Sequence, residues 1–346
     1  MRLLVCGGAG FIGSAFVRRR LAQTDDRITV LDKLTYAGNR LNLAPVESDP
    51  VLGERLAFVE GDICDAAVVD PLVGEADAVV NFAAETHVDR SILDASAFLR
   101  TGVIGVQVLL DAVRAATADG RPLRFLQVST DEVYGAVDSG WSVESDPHAP
   151  RSPYAAAKAA GELLAAAYHE TYGTDVVVTR GSNTYGPYHH PEKLIPLFIT
   201  NALDDRELPL YGDGLHERDW IYVDDHADAV GFVLDHGQAG QAYNVAGGHV
   251  HTNRDVTQRI LALTGKPDTL VKHVPDRPGH DRRYAMDGAK LAAHGWRPSM
   301  SFDEGLPQTV RWYADNREWW TALRSGEWHD YYERQYGWRL AASRTG

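Results

Sequence analysis

The sequence predicts an α/β protein built on a doubly wound parallel sheet, with a smaller C-terminal ligand-binding part. Three observations predict it. A glycine loop, Gly7-Gly8-Ala9-Gly10-Phe11-Ile12-Gly13, lies between a short apolar run and a helix-like run. Short β-branched runs then alternate with alanine- and leucine-rich stretches, the pattern of repeated strand–helix–strand units. Polar residues gather directly after those runs, where the carboxyl ends of parallel strands form ligand sites.

Each element follows in order. Leu3–Val5 reads as a buried strand and Ser14–Ala22 as a helix, with the glycine loop between them. Gly7, Gly10 and Gly13 permit a tight turn, a close approach of backbone to a pyrophosphate, and close helix–strand packing. The helix N-terminus offers free N–H groups to the phosphates. Ile28–Leu31 is the second strand, and Asp32 stands at its end, about 20 residues downstream as a dinucleotide fold requires. A carboxylate there bonds ribose hydroxyls and repels a 2′-phosphate, which favours NAD over NADP. Leu56–Glu60 is the next strand, and Asp62 beyond it can accept from an adenine amino group. Ala78–Phe82 follows, ending in Ala83-Ala84, small enough for the backbone to lie along a cofactor. His87 alone reads equally as a structural loop residue. A helix is expected over Ala95–Ala118, with Thr101 near its start.

Leu123–Val128 is apolar enough for a buried strand, although Arg124 and Gln127 interrupt it. Asp131 and Glu132 sit where it would end. Taken alone, this acid pair would also suit a solvated loop. Pro153 suits a first helical turn, and Tyr154 and Lys158, four apart, share one face of the helix it opens. A phenol beside an ammonium can serve as a base, because a nearby positive charge lowers a tyrosine pKa. Asp175–Thr179 is a sixth strand.

The 346 residues are 44% hydrophobic and 24% charged, which is ordinary for a globular chain of one large or two unequal domains. A formal net charge of -14 argues against a general nucleic-acid binder. Two cysteines cannot make a disulfide framework, and a reducing cytoplasm is expected. Met1–Cys6 runs straight into the glycine loop without the look of a leader, and no continuous apolar run reaches bilayer length, so no membrane association is expected. No HExxH or CxxC pattern points to a metal, and none is expected. The aromatic-rich tail, with Trp312, Trp319, Trp320, Trp328 and Trp338, reads as packing rather than a carbohydrate platform. Ala341–Gly346 is expected to fray.

The glycine loop, the Tyr154/Lys158 pair and the stretch Arg180–Pro187 resemble the extended short-chain dehydrogenase/reductases. Within them the chain is similar over nearly its whole length to the dTDP-glucose 4,6-dehydratase family. The matching segments are 32–39, 87–91, 130–135, 190–196, 218–220 and 276–281. The Thr130-Asp131-Glu132 triplet is the feature that sets these dehydratases apart from sugar-nucleotide epimerases of the same fold. Departures from the family pattern are Cys6 for Thr, Thr86 for Ser, and Gly102 and Thr184 where Asn is usual.

The resemblance implies a lyase that turns dTDP-glucose into its 4-keto-6-deoxy form plus water through an internal NAD redox cycle. The alternatives are a 4-epimerase, or a dehydratase acting on another nucleotide sugar such as UDP-glucose. It implies catalytic roles for Thr130, Asp131, Glu132, Tyr154 and Lys158. It places Phe11, Ile12, Lys33, Leu34, Thr35, Ile63, Phe82, Ala83, Ala84, Thr86, Thr101 and Thr184 at NAD, with Gly7, Gly10, Gly13, Asp32 and Asp62. For the substrate it implies Thr86, His87, Thr130, Asn183 and Asn253, with Lys193, Arg218, Arg277 and His280 facing the diphosphate. Leu194 would also meet the substrate, and the stretch Pro209, Leu210 and Tyr211 would wrap the thymine ring. Residues 1–185 are expected to be mainly the NAD-binding domain and 186–340 mainly the nucleotide-sugar domain, with segments interleaved back into the sheet. Similar enzymes pair two helices per subunit in a four-helix bundle, so a homodimer through Ala95–Ala118 and Pro153–Tyr172 is expected.

Overall fold

The structure, a computed structural model, describes residues 1–324 and 326–343. In chain order the first six strands are β1 (Arg2–Cys6), β2 (Arg27–Asp32), β3 (Leu56–Glu60), β4 (Ala78–Asn81), β5 (Arg124–Thr130) and β6 (Asp175–Gly181). The others are β7 (Asn183–Tyr185), β8 (Leu208–Tyr211), β9 (Glu217–Tyr222), β10 (Gln241–Val245), β11 (Val250–Thr252) and β12 (Val271–Val274). One seven-stranded sheet runs β10-β6-β5-β4-β1-β2-β3. Every pairing in it is parallel. Its order reverses between β1 and β4, and the crevice at that switch point is where ligands bind in such sheets.

Parallel strands need crossover helices on both faces, so their side chains are buried on both. Successive residues of β1 show this: Leu3 and Val5 join one apolar core while Leu4 and Cys6 join another on the opposite face. The two polar interruptions in β5 are matched across the sheet. Gln127 lies opposite Asn81, whose Nδ2 donates to Gln127 Oε1 at 2.9 Å. Arg124 lies opposite Asp175 and donates to it at 3.1 Å. β5 therefore runs two residues past Val128, to Thr130.

The second half of the chain is woven into the first. β10 closes one edge of the sheet, and the helix Val223–His236 lies along Phe11–Gln23. Arg19 bonds Asp228 and Arg20 bonds Asp235 across that contact, and Arg20 also bonds Asp26 nearby in its own half of the chain. The smaller part holds the sheets β11-β9-β7 and β12-β8. Its core takes up most of the tail aromatics: Trp320, Trp328, Tyr332 and Tyr336 are buried, whereas Trp338 is exposed. A helix continues over Trp338–Ser343, further than the expected fraying allows, and 344–346 lie outside the described residues.

One expectation needs correcting. The helix Ser96–Ala116 is long and apolar enough to cross a bilayer, with a mean hydropathy of 1.4. A search for an unbroken apolar run passes over it because isolated polar residues interrupt it. In this fold it packs against the helices Ala66–Glu75 and Pro153–Tyr172, which places it as a layer of the α/β core. Its π-helical turn, Arg100–Gly105, carries Thr101 and Gly102. A Cβ on Gly102 would lie 3.2 Å from both Ala157 Cβ and the Ala157 carbonyl. The glycine at this departure position thus allows close approach of the two helices.

Candidate active site

The cofactor side is built by the glycine loop. A Cβ on Gly7 would fall 2.6 Å from the Ala83 nitrogen, and one on Gly13 only 2.2 Å from the Gly7 carbonyl. The loop is therefore a cradle that only glycine leaves open. Gly10 begins the helix Phe11–Gln23 without a side-chain cap, so the first N–H groups stay free for an anion. Every residue expected at NAD lines one cavity except Leu34. Leu34 instead takes a left-handed backbone, φ 53°, and its N–H donates to Asp32 Oδ1 at 2.9 Å. Asp32 Oδ2 accepts from Ala9 N at 2.9 Å. Asp32 thus ties its own loop to the glycine loop, and burial raises its pKa against those bonds. Asp62 accepts from Lys33 Nζ at 2.7 Å and from Cys64 N at 2.9 Å, so two residues expected at the cofactor form an ion pair. The residues present fit a dinucleotide.

The catalytic side sits at the carboxyl end of β5. Thr130 ends the strand, and a single turn, Asp131–Tyr134, follows. The Thr130 hydroxyl donates to Asp131 Oδ1 at 3.0 Å, and Asp131 Oδ2 is buried without a partner among the described residues. Burial and then the Glu132 charge push the Asp131 pKa up to about 8. Glu132 is also raised by burial, but Arg277, Lys193 and Arg218 pull the other way. Asp131 is thus the carboxyl built to keep its proton.

Tyr154 and Lys158 line the same cavity, on the helix Pro153–Tyr172. In the chain alone, their surroundings oppose a phenolate. Burial, then Glu132 and Asp131, push the Tyr154 pKa well above the ordinary tyrosine value. Lys158 Nζ donates to the Val128 carbonyl at 2.7 Å, and burial lowers its own pKa to about 8. Spacing of four residues puts both on one face but does not aim the ammonium at the phenol. In the chain alone, burial first and the two acids next keep Tyr154 protonated.

The expected substrate residues divide into two groups. Thr86, Thr130, Asn183, Lys193 and Leu194 line the cavity. Lys193 Nζ donates to the Thr86 carbonyl. The others lie beyond it: Tyr211 Oη donates to Asp89, Arg277 Nη1 donates to Asp89 Oδ1, and Arg218 Nη2 donates to the Asp281 carbonyl. Asn183 Oδ1 and Asn253 Oδ1 are buried without partners among the described residues, as acceptors held for a ligand would be. Leu210 is buried in the smaller core, as is Pro209 in β8, so those positions can offer a ligand little but backbone. His87 departs from expectation. Its Nδ1 accepts from Asp89 N at 3.2 Å and its Nε2 lies 3.1 Å from the Glu192 carbonyl, so both ring nitrogens serve the chain itself.

Folding also assembles what spacing hid. His216, Asp276 and His280 come together, with potential ligand atoms within 4.8 Å of one another. His280 Nδ1 lies 2.6 Å from Asp276, and the two imidazoles stack at 3.7 Å with planes 12° apart. Parallel rings do not converge their lone pairs on one point, and Arg218 and Arg277 add positive charge beside them. These three groups bond one another rather than form a cation site. Behind the Tyr154 helix, Glu162 accepts from Arg180 and lies 3.1 Å from His148, a buried network that no spacing in the chain suggested.

The sheet, the glycine cradle and the Tyr/Lys pair define a dinucleotide-binding protein of the short-chain dehydrogenase/reductase type. The sequence profile of GDP-mannose 4,6 dehydratase matches residues 4–309, and the chain belongs to that family. It is 52% identical to a dTDP-glucose 4,6-dehydratase of Streptomyces niveus, over 94% of this chain and 96% of that one. DesIV, a dTDP-glucose 4,6-dehydratase from Streptomyces venezuelae solved with NAD and TYD bound, superposes with a TM-score of 0.89. It is 53% identical and covers 93% of this chain and 100% of its own. A Thermus thermophilus UDP-glucose 4-epimerase solved with NAD shares the fold at a TM-score of 0.83 and 34% identity, covering 91% of this chain and 100% of its own.

Proposed function

We propose that this chain is an NAD-dependent dTDP-glucose 4,6-dehydratase. The observation that carries the reading is Asp131. It is a buried carboxyl biased to stay protonated beside Glu132, in the cavity that also holds Tyr154 and Lys158. An epimerase needs no such acid, because it expels no water.

The glycine loop, Asp32 and the residues around Phe82–Ala84 would hold NAD. When bound, its nicotinamide takes hydride from the sugar and later returns it, so no net oxidation results. As a phenolate, Tyr154 would accept the proton of the sugar's 4-hydroxyl through its Oη, assisted by Thr130. Burial, Glu132 and Asp131 oppose that phenolate, so the positive charge of a bound nicotinamide would be needed beside Lys158 to lower its pKa, the phenolic proton passing to solvent. The resulting ketone acidifies the hydrogen on carbon 5. Glu132 removes that proton, and Asp131 gives its own to the departing 6-hydroxyl. Adjacent carboxylates can divide these duties because burial raises both, but at Glu132 the charges of Arg277, Lys193 and Arg218 work against it, whereas at Asp131 the Glu132 charge adds to it. Incubation with dTDP-glucose and with UDP-glucose tests the reading: loss of one water, seen by mass, is expected with the former. Conversion of UDP-glucose to UDP-galactose would overturn it.

We further propose a homodimer. Leu99, Ile104, Leu163 and Tyr172 are exposed on the helices Ser96–Ala116 and Pro153–Tyr172, which supports pairing through a four-helix bundle. Light scattering at micromolar concentration should give twice the mass of the chain. The free thiols of Cys6 and Cys64 support operation in a reducing cytoplasm.

A further inference from the structure

Asp89 is a buried acid with no part in the chemistry above. Its position explains it. It stands in the short helix Val88–Leu93, between the cavity and the smaller part of the fold, with only 3% of its surface exposed. Three side chains from three distant segments converge on it. Arg277 Nη1 donates to Oδ1 at 2.7 Å. Tyr211 Oη donates to Oδ2 at 2.8 Å. Gln335 Nε2 donates to the same Oδ2 at 2.8 Å and lies 2.7 Å from Tyr211 Oη. Burial opposes the charge on Asp89, yet His87 and Arg277, with these hydrogen bonds, hold its pKa well below the ordinary carboxylate value.

The consequences for the two main partners differ. Arg277 has one corner of its guanidinium locked, while its Nε is buried without a partner among the described residues. A fork held at one end and left open at another is preorganised for an anion. Tyr211 has its hydroxyl anchored, which fixes the direction of the side chain, while neighbouring rings set its plane. Its ring makes an edge contact with His280 at 5.9 Å and lies alongside Tyr336 at 6.0 Å. The anchor removes the rotamer freedom that a stacking ring would otherwise lose when a base binds. Arg277 also lies close enough to Glu132 to bias its charge, so this cluster adjoins the reacting end of the site.

We propose that Asp89 is a positioning residue that aims the anion-binding Arg277 and the ring of Tyr211 together, so that base and diphosphate of a nucleoside diphosphate are recognised as one unit. Gln335 completes the unit and brings the C-terminal segment into it. The inference rests on the nucleotide-sugar reading above. It assigns Asp89 no contact with substrate.

The test uses the full-length protein and dTDP as probe, with binding followed by calorimetry and turnover of dTDP-glucose measured in parallel. Asp89→Asn keeps the size but sets an amide N–H2 against donors that need an acceptor. The dissociation constant for dTDP and the KM for dTDP-glucose should rise about tenfold to a hundredfold, the worth of hydrogen bonds to a charged group. The kcat should fall by a smaller factor than the KM rises, because Asp89 reaches Glu132 only through Arg277, and bound NAD should stay the same. Tyr211→Phe removes only the tether and should weaken dTDP by about threefold to tenfold. In the Asp89→Asn background the same change should do nothing further. Fully additive effects, or a loss in kcat with KM unchanged, would overturn the proposal. Should Asp89→Asn fail to fold, Tyr211→Phe decides alone, and undiminished dTDP binding there overturns it. If the wild-type protein itself does not bind dTDP, the failure belongs to the nucleotide-sugar reading.

Discussion

Replacing Asp131 by Asn tests the division of labour at the end of β5. The structure sets the magnitude. Burial and the Glu132 charge bring the Asp131 pKa to about 8, from an ordinary 3.8. At pH 7 about nine molecules in ten then hold the proton, and above pH 8 the protonated fraction falls about tenfold per unit. Water loss should follow that limb, since only the protonated form can give a proton to the leaving hydroxyl. Asp131→Asn keeps the shape, cannot supply the proton, and should slow dehydration by about 10²–10⁴ at pH 7. Oxidation at carbon 4 precedes that step, so bound NADH should accumulate on adding dTDP-glucose, as stopped-flow absorbance would read. The same substitution has a stability signature. A carboxyl whose folded pKa is raised binds more protons folded than unfolded, so its contribution is lost as pH rises from about 4 through 8. Asp131→Asn should gain on the parent across that window in thermal melts, and not below it. Full turnover after the substitution would refute the reasoning, whereas a basic limb near pH 8 would not by itself, because Lys158 titrates there too.

Other expectations are as direct. Tyr154→Phe should block the cycle before any NADH forms, because the 4-hydroxyl keeps its proton; normal NADH build-up would remove Tyr154 from that role. Asp32→Ala should lose the bonds to Ala9 and Leu34 and relax the preference for NAD over NADP, as titration of both cofactors would show. Arg180→Met should leave Glu162 buried without its guanidinium and cost about 3–5 kcal/mol in denaturant melts, with the Asp131 limb of the pH profile unmoved.

The sequence by itself determined the parallel sheet, the glycine cradle and the acids at the end of β5. These are local facts: a strand's burial, a turn that admits only glycine, and the polar residues that follow them are written within a few neighbouring positions. Even the four-residue spacing of Tyr154 and Lys158 was legible, because a helix has a known period. What spacing could not convey was direction and partnership. Lys158 turned to the Val128 carbonyl, burial beside two acids keeps Tyr154 protonated in the chain alone, and His87 spent both nitrogens on neighbouring backbone. Periodicity settles which face a side chain shares, but the nearest acceptor in space settles where its charge goes. The meeting of Asp89 with Tyr211, Arg277 and Gln335, and of Glu162 with Arg180 and His148, was decided only by the tertiary structure. Those groups are too far apart in the chain for any local rule. They meet because burying a charge is costly unless it is paired, and only the folded chain brings the pairs within reach.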